Sequence, residues 1–346
     1  MNKQSLLKTV FSLCMVLMCW LPASADKTTL RGDVNNDGSV TIKDVTVLIN
    51  YLLTEDEATI NRASADVNAD GELNIKDVTV LINYLLTDEW PAVYEPQYMS
   101  VTVGSGTSAV TFRMVLVEGG TMMMGAREDD PYVRPWESPA HQVTLSSYYI
   151  AEFEVTQALW RAVMGTSSNP FWFTSSNGYT TNYQRPVESV AFTGSSNSTS
   201  VSTFLTKLNQ KTGKTFRLPT EAEWEFAARG GNWSRGYMYI GGDNVDEVAW
   251  HKANSGDLVQ PVGTKAPNEL GIYDMAGNVE EWVSDWYGLY TDAAQTNPTG
   301  PSTGSVYVLR GGSWDQSYRM CRPTQRHDCP TAYSGAHTGF RVALSL

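Results

Sequence analysis

Residues 33–54, DVNNDGSVTIKDVTVLINYLLT, return at 66–87 as DVNADGELNIKDVTVLINYLLT, and the thirteen letters IKDVTVLINYLLT at 42–54 and 75–87 are identical. Each copy opens on D-x-N-x-D-G. In a twelve-residue calcium loop that spacing sets oxygen donors at alternate positions, with glycine sixth to make the sharp turn. The first loop offers Asp33, Asn35, Asp37, Ser39, Thr41 and Asp44, and the second offers Asp66, Asn68, Asp70, Glu72, Asn74 and Asp77. Each loop is expected to hold one Ca2+. The last ligand is Asp, one methylene shorter than the Glu of an ordinary EF-hand. After each loop, Val45, Leu48, Ile49 and Leu52, and Val78, Leu81, Ile82 and Leu85, recur at helical spacing. One apolar stripe per helix has nothing to bury against alone, so the two copies are expected to pair about a pseudo-two-fold. A core of about 60 residues is marginal, and metal is expected to be needed for folding.

This pattern resembles a dockerin over residues 30–88, a small all-α pair of calcium loop–helix units. The resemblance implies calcium-dependent docking to a cohesin-like partner, with Ile42-Lys43 and Ile75-Lys76 among the contact residues. Because the two pairs are identical, the module could present the same face in two orientations. A calcium-stabilised stalk without a partner is the plainer alternative. A polysaccharide-degrading context is implied by the resemblance alone.

Residues 1–25 carry Lys3 and Lys8, an apolar run from Leu13 to Leu21, and Ala23-Ser24-Ala25, which reads as a secretory signal cut near Ala25. A secreted, periplasmic or cell-surface location follows. No later run is long enough to span a bilayer. Without the signal, 25 − 2 = 23 basic residues face 37 acidic ones, a net charge of −14. That balance disfavours nucleic acid and anionic membranes as partners, and six of the negative charges are the loop aspartates. Of four cysteines, Cys14 and Cys19 leave with the signal, so Cys321 and Cys329 allow one bridge and no disulfide framework. The expected domains are therefore the signal 1–25, the calcium module 26–88, a Pro-containing linker 89–97 and a larger domain 98–346.

The larger domain is rich in Gly, Ser, Asn and Trp. Strands are expected at Val101–Val110, Phe112–Val117 and Thr121–Met124, and helices at Gln157–Met164, Val201–Gln210 and Thr220–Arg229, the last with Thr220 and Glu223 as a capping box and Gly230 as its stop. In order, MVLVEGG at 114–120, VTQ at 155–157, FRLPTEAEWE at 216–225, GIYDMAGNVEEW at 271–282, LRGGSW at 309–314 and GFR at 339–341 resemble the formylglycine-generating enzyme, or sulfatase-modifying factor, family. The resemblance implies an α+β, C-type lectin-like fold, loop-rich with few helices. It also implies one or two calcium ions, one of them held by the side chains of Asp274 and Glu281 and the carbonyls of Gly277 and Val279, with a second site beginning at Asn254 and Ser255. A solvated turn is the competing reading of 274–281.

Catalytic members of the family oxidise a substrate cysteine to formylglycine with one copper ion between two thiolates, three and eight residues beyond Gly-Gly-Ser. After Gly311-Gly312-Ser313, Cys321 stands at the eighth position and Gln316 at the third. Soft Cu(I) prefers two thiolates, so copper is not expected. Cys321 reads as a residual copper ligand, half of a bridge to Cys329, or a small buried hydrophobe. Ser313 reads as packing a tight turn, or as a catalytic partner of Cys321. His141, His251, His327 and His337 show no metal spacing on one helix. The expectation is a non-catalytic binding module for a glycan or peptide, with Trp136, Trp172, Trp233 and Trp286 as groove candidates. The alternative is a divergent formylglycine-generating oxidase acting on sulfatase cysteine through Cys321.

Overall fold

The structure is a computed structural model that describes residues 30–56, 60–68, 73–90, 95–127, 129–167, 170–193 and 199–346. The expected signal segment with Cys14 and Cys19, the second-loop positions Asp70, Gly71 and Glu72, and residues 91–94 of the expected linker lie outside the described residues. The chain divides into two compact units on either side of the Val93–Tyr94 bond.

The first unit contains α1 (Ile42–Thr54), α2 (Arg62–Ala65) and α3 (Ile75–Thr87). Thr41 and Asn74 are the N-caps of α1 and α3, and the aspartates three residues on, Asp44 and Asp77, close reciprocal capping boxes. The predicted ligand pairs Thr41/Asp44 and Asn74/Asp77 thus also start the helices. Val45, Leu48, Val78 and Leu81 are buried together with Val34, Ala65 and Val67. Ile49 and Ile82, expected in the stripe, are 38% exposed. Two helices facing one another bury only a narrow seam, and these positions fall at its edge. Trp90 closes one side of the unit. Its ring stacks on Tyr84 at 3.9 Å, and the Arg31 guanidinium lies 4.6 Å over it. A Cβ on Gly32 would stand 2.5 Å from the same indole, so residue 32 has no room for a side chain.

In the second unit, β1 (Tyr98–Val103) and β2 (Val110–Val117) form an antiparallel hairpin. The strand expected over 101–110 breaks at Gly104, whose φ of +87° turns the chain. With β5 (Tyr148–Ala151), β12 (Ala343–Ser345) and β6 (Phe216–Arg217) the hairpin completes a sheet of order β1-β2-β5-β12-β6. A second sheet runs β10-β9-β7-β11, from β7 (Glu280–Trp286), β9 (Val306–Arg310), β10 (Arg326–Pro330) and β11 (Thr338–Gly339). A third joins β3 (Gly120–Met124), β4 (His141–Leu145) and β8 (Gln295–Thr296). The expected helices are present as α4 (Gln157–Met164), α5 (Val201–Thr212) and α6 (Glu221–Ala228), the last with the Thr220/Glu223 capping box, and α7 (Val245–Val248) adds one turn. Few helices, small mixed sheets and long ordered loops make the unit α+β.

Such a fold must satisfy loop carbonyls without long ladders. Buried arginines do much of this. Arg310 donates to the carbonyls of Pro323, Thr324 and Gln325 while pairing with Glu225 at 2.5 Å. Arg341 donates to the carbonyls of Ala151 and Tyr273 and holds Glu281. Arg322 bridges Glu137 and Asp130, and Arg326 holds Glu221. Each pair joins segments distant in sequence, and each carboxylate thereby acquires the partner that burial demands.

Candidate functional site

In the first calcium loop Asp33 accepts the N–H groups of Asp37 and Gly38 at 2.9 Å each, and Asp44 accepts those of Asn35 and Thr41 at 3.1 and 2.8 Å. The expected first and last ligands, Asp33 and Asp44, are thus buried and turned inward on one loop. Asp77 repeats the arrangement on Asn68 and Asn74. A hydrogen bond from Ser39 holds the exposed Asp37 carboxyl below the usual range, which favours its charged form. The donor set is oxygen throughout, from carboxylate, amide and hydroxyl, which fits a hard cation. Among the described residues no group of three or more His, Cys, Asp or Glu side chains is closed tightly enough to hold a metal by those groups alone. Ile42 and Ile75 are 66% and 67% exposed, and Lys43 and Lys76 beside them are also exposed. Farther along the same helices Leu53 and Leu86 are each 78% exposed, an apolar addition that sequence reasoning missed.

In the larger unit the four expected calcium donors divide. Glu281 is gripped by Arg341 and accepts the Trp224 indole N–H at 2.9 Å. Asp274 accepts the Gly263 N–H at 2.6 Å, and burial pushes its carboxyl up to about 6. Gly277 is anchored through its N–H on the Gly311 carbonyl, a bond that does not use its own carbonyl oxygen, and Val279 is fully buried. Beside Asp274 lies Glu154, fully buried, with neither carboxylate oxygen hydrogen-bonded. Burial, and next the charge of Asp274, raises its carboxyl well above the ordinary value. The orphaned oxygens of Glu154 with Asp274 suit an added cation better than the engaged Glu281 does, and sequence reasoning did not single out Glu154. Asn254 and Ser255 spend their side chains on His251, Asp246, Ala249 and Trp314.

At the position of the family's copper, Ser313 donates to Asp315 at 2.7 Å, and the buried Gln316 Oε1 has no partner. Cys321 is fully buried in the cluster of Trp224 and Met275, and burial pushes its thiol up to about 12. Cys329 lies in a separate cluster with Trp282 and Phe340; burial, then Glu280 and Asp328, push it up to about 12 as well. Both are free thiols, so the bridge to Cys329 is not formed, and the full burial of Cys321 is compatible with a small buried hydrophobe. Nearby, His337 stands 3.4 Å from Asp315 and 3.1 Å from the Tyr333 hydroxyl, and His327 stands 3.5 Å from Glu280. These carboxylates raise both imidazoles. His327 and Cys329, close in sequence, do not form a pair.

The four expected groove tryptophans do not make one surface. Trp172 and Trp136 are exposed, while Trp233 packs against the core. Trp286 stacks on Tyr307 at 3.9 Å and lines a cavity of about 170 Å³. His141, Glu221, Asp285, Tyr290 and Arg326 complete its polar wall. Arg326 also donates to the Trp136 carbonyl, which ties that tryptophan to the same wall. Asp285 sits on β7 at an inward position, and burial, then the charge of Glu221, push its carboxyl up to about 7.

Comparison with known proteins gives two family matches. The family described as sulfatase-modifying factor enzyme 1-like matches residues 103–346, and the dockerin type I domain matches residues 31–86. The chain is 31% identical to "Chaperone protein LppX" of Paenibacillus barcinonensis over 71% of this chain and 94% of that protein. It is 30% identical to the formylglycine-generating enzyme of Streptomyces coelicolor over 66% and 88% respectively. Among solved structures, Treponema denticola variable protein 1 superposes with a TM-score of 0.61 at 32% identity, covering 73% of this chain and all of the other. PvdO from Pseudomonas aeruginosa gives 0.58 at 26% identity with the same coverages.

Proposed function

Because this chain belongs to the sulfatase-modifying factor family through residues 103–346 and carries a dockerin type I domain at 31–86, we propose that it is an exported protein whose larger domain binds a glycan or peptide without catalysis. The dockerin attaches it to a cohesin-like partner, in a polysaccharide-degrading setting. Dockerin domains bind calcium and cohesins, and proteins that bear them are typically extracellular or at the cell surface. The duplicated pairs Ile42-Lys43 and Ile75-Lys76 stand exposed on equivalent turns, which supports docking in either of two orientations.

The observation that carries the non-catalytic reading is the surroundings of Cys321. A thiol pushed up to about 12 by burial is not a thiolate at neutral pH, and the second sulfur is replaced by the amide of Gln316. Ser313 donates its hydroxyl to Asp315, which supports its reading as part of the tight turn. A relative bearing the name of a chaperone fits a family domain that binds without turnover. In the larger domain we assign one calcium to Glu154 and Asp274, with Glu281 serving as the partner of Arg341.

The test is a Cu(I) titration of the calcium-loaded mature protein and of its Cys321→Ser variant. The expected outcome is no stoichiometric tight binding in either. Tight binding lost in the variant would restore the alternative, an oxidase acting on sulfatase cysteine.

A further inference from the structure

Asp285 departs from the rule that governs its neighbours. Around it Glu221 is held by Arg326, Glu225 by Arg310 and Glu137 by Arg322. Asp285, only 3% exposed, has no cationic side chain within ion-pair distance among the described residues. One of its oxygens, Oδ2, accepts the Glu221 N–H at 2.9 Å and the Ser284 hydroxyl at 3.0 Å. The other, Oδ1, takes no hydrogen bond, yet it is not sealed in protein: the residue lines the cavity, beside Gly300, where an added Cβ would lie 3.1 Å from it. His141, 3% exposed, shares the wall. Its Nδ1 lies 3.2 Å from the Pro139 carbonyl, so as the donor there it leaves Nε2 a lone pair, and Nε2 too has no partner. Two acceptors without a partner among the described residues therefore belong to the lining of a space of about 170 Å³, roughly the size of a cavity that admits one benzene ring.

Buried carboxylates are stable when a cation with several donors meets them. Arg326 cannot turn to Asp285, because its nitrogens are spent on Glu221 and on the carbonyls of Trp136 and Gly288. We infer that this cavity takes a primary ammonium group on a short aliphatic arm, as a lysine side chain or a small free amine presents it, with Asp285 Oδ1 and His141 Nε2 as acceptors. A single ammonium carries three donors, enough for both acceptors and one water. A space of this size suits one small group at its floor. This inference rests on the reading of the larger domain as a binding module and specifies its ligand.

The test is calorimetric titration of the full mature chain with Nα-acetyl-lysine amide, n-butylamine, the neutral Nα-acetyl-norleucine amide and glucose. The groups facing Asp285 are Glu221 and Glu223 from α6, Arg326 from β10, His141 from β4 and Tyr290 beyond β7. The amine stays protonated across pH 6 to 8, whereas Asp285, poised at about 7, ionises. Binding of the amines should therefore strengthen about tenfold over that range. The Asp285→Asn variant should bind them at least about tenfold more weakly at pH 8, with a shallower pH profile than the parent. Binding of both amines identifies the ammonium as sufficient; binding of the lysine derivative alone adds the peptide as its source. No saturable amine binding at pH 8, or undiminished binding by the variant, overturns the inference. Binding of glucose alone would overturn the ammonium and leave the binding-module reading standing, whereas that reading itself falls to copper binding at Cys321.

Discussion

Replacing Asp285 with asparagine removes a carboxyl that folding makes hard to ionise. In the folded unit it titrates at about 7 because it is buried and lies near Glu221, and in the unfolded chain at about 3.9. Below pH 4 both states hold the proton. Between 4 and 7 the unfolded chain has released it while the folded unit keeps it, so the folded state binds more protons and stability falls as pH rises. Above 7 the full difference of about three units applies, about 4 kcal/mol as a ceiling. Asparagine is neutral throughout, and its carbonyl can still accept from the Glu221 N–H and the Ser284 hydroxyl. From pH 5 to pH 8 the parent should lose up to about 3 kcal/mol relative to the variant. For a unit of this size that is about 6–10 °C in Tm. Differential scanning calorimetry of both proteins at the two pH values measures it. Equal pH slopes in parent and variant would refute the reasoning, because the proton on Asp285 would then contribute nothing.

Other perturbations separate the two units. Chelator should abolish the melting transition of the dockerin unit and leave most of the larger one, so a single unchanged profile would contradict the calcium assignment. Trp90→Ala removes the stack on Tyr84 and the cover over Gly32 and should destabilise the calcium-loaded module by about 2 kcal/mol, read as a lowered Tm of that transition. Arg341→Met leaves Glu281 buried without its partner and should cost about 3–5 kcal/mol in the larger unit, seen by denaturant unfolding. Ile42→Asp or Ile75→Asp alone should leave cohesin capture nearly intact and the double variant should lose it; loss in either single variant would exclude two equivalent orientations.

Local rules carried the sequence reading furthest. The first D-x-N-x-D-G loop, the Thr220/Glu223 capping box and the 157–164 helix depend on residues a few positions apart, and the structure has each of them there. The seam between the duplicated helices was read too wide at Ile49 and Ile82, because periodicity marks an apolar face but not how much of it a single partner covers. Trp90 was assigned to a linker, since no local pattern reveals that Gly32 and Tyr84 await it. The Arg–carboxylate pairs were invisible for the same reason: Arg322 and Glu137 lie 185 residues apart. Asp285 left one faint signal. Along β7, Asp285 holds an inward position in the alternation, between the exposed Ser284 and the half-buried Trp286, and an acid at such a position marks a group whose partner must be sought elsewhere. Cys321 was the reverse case. Its spacing from Ser313 matched a metal ligand, and spacing alone does not reveal that the thiol is fully buried.

The most direct measurement supplies calcium-loaded mature protein with Cu(I), oxygen and a peptide carrying a sulfatase cysteine, and follows the peptide by mass spectrometry. With Gln316 in place of one thiolate and Cys321 sealed in the core, the cysteine should remain unchanged. Conversion to the aldehyde, abolished by Cys321→Ser, would contradict the account.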